Sequence, residues 1–398
     1  DKILLDDDPV FTETNETGSY PRSFQKGFLE GPVVEAGIGR ETEIHLTLRV
    51  PNPIGRGPVQ GQVAVEFEPV QQAADLLVDT YVQILRYIAD SLEPPVPLGM
   101  QYAADLDTAS HKSGMIFPLD IKLKQLEVLE EVGVQIIRVT PAYDIFLHQY
   151  EPKISELDSL ASQIRADGKK LMIADGGAEE YWAKPMNWSS FSEAFVQRVG
   201  NLASRYKPEY YIVVKEPSWY FGMNWASPGG MLTQTTTVEQ WVSLTQRLCD
   251  EVKRVSPSTR TGVAIALPFQ QSLDYLVSAD KLQTLDFVGI DVYNGLHLGT
   301  VDPYLALLTK PKWILETWDG NPDGQQGQMW RRTTSAEWIG AMANYAQSKG
   351  FEGMATFFNL WLCYDYSGKP VTFDQVRSAL DTRQESFYAL QSVVRDSS

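Results

Sequence analysis

The sequence predicts an α/β chain whose larger part is a (β/α)8 barrel, and three observations carry that expectation. From about Val96 onward, short apolar runs alternate with segments whose apolar residues recur at helical spacing. Two of the runs end in a glutamate, Glu216 and Glu316, and the C-terminal strand ends of an α/β barrel are where catalytic groups sit. The rival architecture is a doubly wound open sheet. It usually carries a Gly-rich phosphate turn, and no G-x-G-x-x-G follows any of these runs.

Residues 1–95 read as an N-terminal extension and residues 96–398 as the barrel. Asp1 to about Pro32 is polar and reads as a tail or surface wrap. Glu41–Val50 and Gly61–Val70 alternate polar and apolar residues, as half-buried strands do. The Pro/Gly-rich run 51–58 between them predicts a turn, so a β-hairpin is expected. Gln71–Leu92 has apolar residues at helical spacing, and Pro94-Pro95 stops that helix. The barrel strands are then expected at Leu98–Ala103, Val134–Val139, Lys170–Ala174, Tyr210–Lys215, Gly262–Ala266, Asp286–Asp291, Lys312–Leu315 and Gly353–Phe358. Helices are expected at Leu119–Val132, Ile154–Asp167, Ser189–Tyr206, Val238–Val255, Gln270–Ala279, Ala336–Lys349 and Phe373–Val394, with a short one at Val301–Leu308.

Composition narrows the function. The chain has 398 residues and a formal net charge of −17, which disfavours nucleic acid and anionic membranes as partners. No basic run forms a phosphate-binding stripe, and no stretch of about 18 apolar residues predicts a membrane span. Two cysteines and four scattered histidines give neither a disulfide framework nor metal-ligand spacing, so neither metal nor cofactor is expected. Cys249 reads as a small buried thiol on a helix. The chain begins at Asp1, which suggests processing and an extracytoplasmic location. Asn15-Glu-Thr and Asn187-Trp-Ser match the N-glycosylation pattern, a weak signal.

The strand ends supply the candidate site. Arg138 lies on the second strand, Asp175 ends the third with Trp182 beyond it, and Lys215-Glu216 end the fourth with Trp219 beyond. Tyr293 and Asn294 end the sixth, Glu316 and Trp318 the seventh, and Trp361 follows the eighth. Two carboxylates facing one pocket can break a glycosidic bond: one protonates the leaving oxygen while the other attacks or activates water. Loop tryptophans offer flat apolar faces on which sugar rings stack.

These strand-end residues resemble those of the clan A retaining glycoside hydrolases over roughly residues 96–370. The resemblance implies a (β/α)8 barrel with Glu216 as acid/base and Glu316 as nucleophile. It implies an Arg beside the nucleophile, matched by Arg138, a Tyr on strand six, matched by Tyr293, and a Trp on strand eight, matched by Trp361. One position departs. The residue before the acid/base is usually an Asn that clamps the sugar's 2-hydroxyl, and here it is Lys215. An ammonium beside Glu216 favours its ionised form, the opposite of what a general acid needs. Lys215 is therefore expected to be held away, or paired to an Asp such as Asp144 or Asp175, unless the enzyme prefers acidic pH or the site is degenerate.

Plainer readings stand beside these. Glu216 can cap the next turn or pair with Lys215, Glu316 can be a structural partner of Arg138, and Tyr293 can be ordinary core. The expected function is retaining hydrolysis of a β-linked neutral oligo- or polysaccharide. A carbohydrate-binding pseudoenzyme and a transglycosylase on the same scaffold are the alternatives.

Overall fold

A computed structural model of the chain describes residues 2–4, 34–39, 43–50, 59–66, 99–107, 117–141, 154–175, 187–217, 236–266, 270–293, 297–318, 330–357, 359–363 and 372–396. Four N-terminal strands, β1 (Lys2–Leu4), β2 (Val34–Gly39), β3 (Glu43–Val50) and β4 (Val59–Glu66), form one antiparallel sheet in chain order. The expected hairpin is β3–β4, paired from Glu43–Glu66 to Val50–Val59. The sheet is larger than a hairpin because β1, inside the stretch read as a tail, pairs with β2. The helix expected over 71–92 lies outside the described residues.

Eight parallel strands close the barrel. They are β5 (Gln101–Asp105), β6 (Ile136–Val139), β7 (Lys170–Ala174), β8 (Tyr210–Lys215), β9 (Arg260–Ala266), β10 (Phe287–Val292), β11 (Lys312–Thr317) and β12 (Gly353–Thr356). Between and after them run α1 (Leu119–Val132), α2 (Ile154–Ala166), α3 (Trp188–Tyr206), α4 (Val238–Val255), α5 (Gln270–Ala279), α6 (His297–Leu305), α7 (Trp330–Ser348), α8 (Phe373–Ala379) and α9 (Glu385–Asp396). None of the described helices is long and apolar enough to cross a membrane. The single helix expected over 373–394 is two. The break between them holds Arg383, whose guanidinium pairs with Glu131 at the end of α1, and Gln384, whose N–H donates to the Leu362 carbonyl. Both contacts pull the chain out of helical geometry.

Two apolar layers hold the barrel. The outer one lies between strands and helices and includes Cys249, buried on α4 as expected. The inner one fills the barrel with Ile136, Met172, Ile212 and Leu315 above a floor of Tyr210, Phe287 and Trp313. Those three rings meet at centroid distances of 5.5–6.0 Å. Such bulk on adjacent strands needs room. Gly262 and Gly353 provide it, since a Cβ there would lie 2.1 Å from the Phe287 ring and 2.3 Å from the Trp313 ring.

Candidate active site

Strand geometry decides which side chains reach the barrel mouth. Along β11, Trp313 and Leu315 face the interior, so strict alternation would turn Glu316 outward. A bulge prevents this: Ile290 pairs with Ile314, but Asp291 pairs with Glu316. The register to β12 slips in the same segment. β8 has the same device, with Ile212 opposite Gly262 but Val214 opposite Val263. The two strands that carry the glutamates thus each hold one extra residue. Bulges of this kind re-aim side chains. Glu216 itself sits at φ 47°, a left-handed conformation that costs a non-glycine residue on the order of 1–3 kcal/mol. Its N–H donates to the Ala264 carbonyl, which fixes the strained residue at the strand end.

The result is a compact cluster. One carboxylate oxygen from each of Glu216, Asp291 and Glu316 lies within 4.8 Å of the other two. Glu316 is 2 % exposed and held on both oxygens. Its Oε1 accepts from Arg138 Nη2 at 2.7 Å and lies 2.6 Å from Lys215 Nζ, while Oε2 accepts from the Tyr293 hydroxyl. Arg138 is fully buried. It also donates to Asp105 Oδ1 at 3.0 Å and to the Leu315 carbonyl at 2.6 Å. The Phe357 ring lies beneath both cations, 5.2 Å from the Arg138 guanidinium and 5.1 Å from Lys215 Nζ.

The electrostatics follow from these contacts. Burial works against the Glu316 charge, but Lys215, Arg138 and the Tyr293 hydrogen bond outweigh it and hold the carboxyl below the usual range. Burial and the neighbouring carboxylates keep the Tyr293 phenol well above its ordinary value, so it remains a donor. Burial also pushes Asp291 well up, helped by Glu316 and Glu216 and opposed by Lys215 and Arg138. Neither Asp291 oxygen has a hydrogen-bond partner among the described residues.

The expected residues divide as follows. Glu216, Glu316, Arg138, Lys215 and Tyr293 come together. Lys215 pairs with Glu316, and not with Asp175, one of the alternatives raised for it; Asp144 lies outside the described residues. Asp175 turns to the helix layer, where it accepts from Arg198 Nε at 2.9 Å and the Tyr211 hydroxyl at 3.2 Å, away from the cluster. Trp318 is 1 % exposed and packs in the outer apolar layer, so no face is open for stacking on a sugar. Trp182, Trp219, Asn294 and the Trp361 side chain lie outside the described residues. Asn187, from the second glycosylation match, caps α3 by accepting from the Ser190 N–H at 2.9 Å. Two members were not singled out as site residues. Asp105 and Asp291 are acidic residues at apolar strand ends, the same signal that marked Glu216 and Glu316.

No protein-family model matches the chain, and no curated protein matches it significantly. Solved structures do. A GH5_18 enzyme from Streptomyces cattleya in complex with GlcNAc superposes with a TM-score of 0.52 at 14% identity, over 75% of this chain and 80% of that one. A variant of that enzyme in complex with Manβ1-4GlcNAc gives 0.51 at 14% identity, over 74% and 80%. A β-glucosidase from Thermotoga maritima in complex with galacto-hydroximolactam gives 0.51 at 12% identity, over 77% and 99%. The chain shares the (β/α)8 barrel of these enzymes. At such identities the likeness is one of fold.

Proposed function

We propose that the protein is a retaining glycoside hydrolase that cleaves a β-linked neutral oligo- or polysaccharide by double displacement. The observation that carries this reading is the short Glu216–Glu316 separation, with one oxygen of each within 4.8 Å. Double displacement needs carboxyls about 5–5.5 Å apart, whereas inversion needs about 6.5–9.5 Å to admit a water between them. The fold neighbours, which include a β-glucosidase and an enzyme bound to Manβ1-4GlcNAc, favour a β-glucoside or β-mannoside.

In the first step the Glu216 carboxyl gives its proton to the glycosidic oxygen as that bond breaks. Glu316 bonds to the anomeric carbon. In the second, Glu216 takes a proton from water, the water oxygen bonds to the anomeric carbon, and Glu316 leaves as carboxylate. Arg138 and Tyr293 hold the attacking carboxylate oriented and ionised. Lys215 favours a second reading, a carbohydrate-binding pseudoenzyme, because a second cation on Glu316 weakens it as a nucleophile.

Turnover on a panel of aryl β-glycosides and β-linked polysaccharides separates the readings, with Glu216→Gln and Glu316→Gln run alongside. Turnover lost by orders of magnitude in both variants supports the double displacement. Turnover that survives both substitutions rejects these carboxylates. Glycan binding without turnover in the native chain selects the pseudoenzyme.

A further inference from the structure

Asp291 is a buried carboxyl without a role in the double displacement. It is 1 % exposed, both its oxygens lack a hydrogen-bond partner among the described residues, and one lies within 4.8 Å of Glu216 and Glu316 carboxylate oxygens. Its strand neighbours offer no donor. On one side its register partner is Ala266, on the other Glu316. The charged and titratable groups facing it are Lys215 and Glu216 from the end of β8, Glu316 from β11, Arg138 from β6 and Tyr293 from its own strand. The two cations are committed elsewhere: Lys215 Nζ to Glu316, and Arg138 to Glu316, Asp105 and the Leu315 carbonyl.

A buried carboxylate with no donor is costly, and two carboxyls this close resist ionising together. One of them takes a proton. Glu316 is excluded as the proton-sharing partner, because Arg138, Lys215 and Tyr293 already hold it as a carboxylate. A divalent cation among the three carboxyls would have to sit beside the Lys215 ammonium, which disfavours that use of the cluster.

We propose that Asp291 and Glu216 share one proton in the resting enzyme, with Asp291 acting as a positioning residue that keeps this proton available to Glu216 despite the adjacent Lys215. The proposal rests on the glycosidase reading for its use, and the charges balance through the first step. At rest Glu316 carries one negative charge and the Asp291–Glu216 pair one. When the glycosidic bond breaks, the shared proton leaves on the aglycone oxygen and the pair carries two. Glu316, now an ester, carries none. The sum is unchanged, and Lys215 exchanges its Glu316 counter-charge for one on the pair.

Two measurements test this. The first is difference infrared spectroscopy of the substrate-free protein as pH is raised, in the native chain, Asp291→Asn and Glu216→Gln. A carboxyl band that loses its proton above the ordinary carboxylate range is expected in the native chain, missing from Asp291→Asn, and moved to lower pH in Glu216→Gln, where Asp291 keeps its burial but loses the Glu216 charge. Burial pushes the Asp105 and Asp107 carboxyls up as well, so the comparison is of each variant with the native chain. A band that survives Asp291→Asn, or that Glu216→Gln leaves unmoved, overturns the proposal. Glu216→Gln alone decides this if Asp291→Asn fails to fold.

The second is the pH profile of kcat/KM on an aryl β-glycoside whose leaving group needs a proton. In Asp291→Asn the basic limb is expected to move to lower pH by about one unit. A leaving group that needs no proton should show no such move. A uniform fall in rate with an unchanged profile would mean Asp291 is structural and would overturn the proposal. The infrared experiment needs no substrate. A protein that turns over no glycoside therefore loses the glycosidase reading, while the shared proton stands or falls on the spectra.

Discussion

The N-terminal and C-terminal ends of the barrel are both closed by charged side chains, but they use them differently. At the floor, Arg260 and Glu352 form a bidentate pair, one arm of it 2.8 Å long. Trp313 Nε1 donates to the same Glu352 at 3.3 Å, and Lys170 and Tyr210 both donate to Gln101 Oε1, at 2.9 and 3.0 Å. The Arg260 guanidinium covers the Tyr210 and Phe287 rings at 5.3 and 5.8 Å. Each of these groups has a partner, and the Arg260 and Glu352 side chains are 31 and 25 % exposed. At the mouth, Arg138, Lys215 and Glu316 are nearly sealed from solvent. Beside them Asp291 has no hydrogen-bond partner among the described residues, and Glu216 occupies a left-handed conformation. Local rules are kept at the floor and broken at the mouth. Broken rules that cost stability set the mouth apart as the end where the proposed chemistry would be done.

The largest effect should come from removing the cation that two buried carboxylates share. Arg138→Met leaves Asp105 facing no guanidinium and Glu316 with Lys215 and the Tyr293 hydroxyl. A loss of about 3–5 kcal/mol in chemical denaturation is expected, because a buried charge is stranded. A loss under about 1 kcal/mol would mean the mouth is wetter than its burial implies. Next comes Lys215→Asn. Lys215 helps hold the Glu316 carboxyl low, so its removal should move the acid limb of kcat/KM upward, by about one pH unit. The sign is fixed: a carboxyl that loses a cationic neighbour binds its proton at higher pH. An acid limb that stays put would show that Arg138 and Tyr293 set the charge of Glu316 without Lys215.

Most of the fold was legible because strands buried on both faces read as short apolar runs, and the helices between them keep a 3.6-residue period. β7 and β8, and helices α1, α4 and α5, fall at the expected bounds. Glu216 and Glu316 stood out because a carboxylate ending such a run has no packing reason to be there. What sequence could not give is orientation. Whether Glu316 faces the barrel or the helices depends on one extra residue in β11, and a bulge leaves no mark in composition. Asp175 shows the converse, an acidic strand end that lies one residue past the inward Ala174 and turns to Arg198. The partner of Lys215 was illegible for the same reason, since it depends on two strands being bulged in concert.

The floor makes a smaller prediction. Arg260→Met should cost about 1 kcal/mol, since a pair open to solvent is partly screened, and it should leave kcat/KM unchanged. A change in rate profile would mean that the two ends of the barrel are coupled, against the division drawn here. The last test asks whether an unpartnered carboxyl at the mouth carries a stability cost even outside the dyad. Asp107 is 3 % exposed, and burial together with the Asp105 charge pushes its carboxyl up to about 8. Its Oδ2 accepts from the Leu360 N–H at 2.9 Å, but Oδ1 has no partner among the described residues. A carboxyl raised on folding gives stability at acidic pH, where both states are protonated, and loses it as pH climbs from the ordinary range toward 8. Asp107→Asn keeps the acceptor for Leu360 and removes the titration. Tm should rise near pH 8 and change little near pH 4. An equal shift at both pH values would locate the effect in packing, not in the proton.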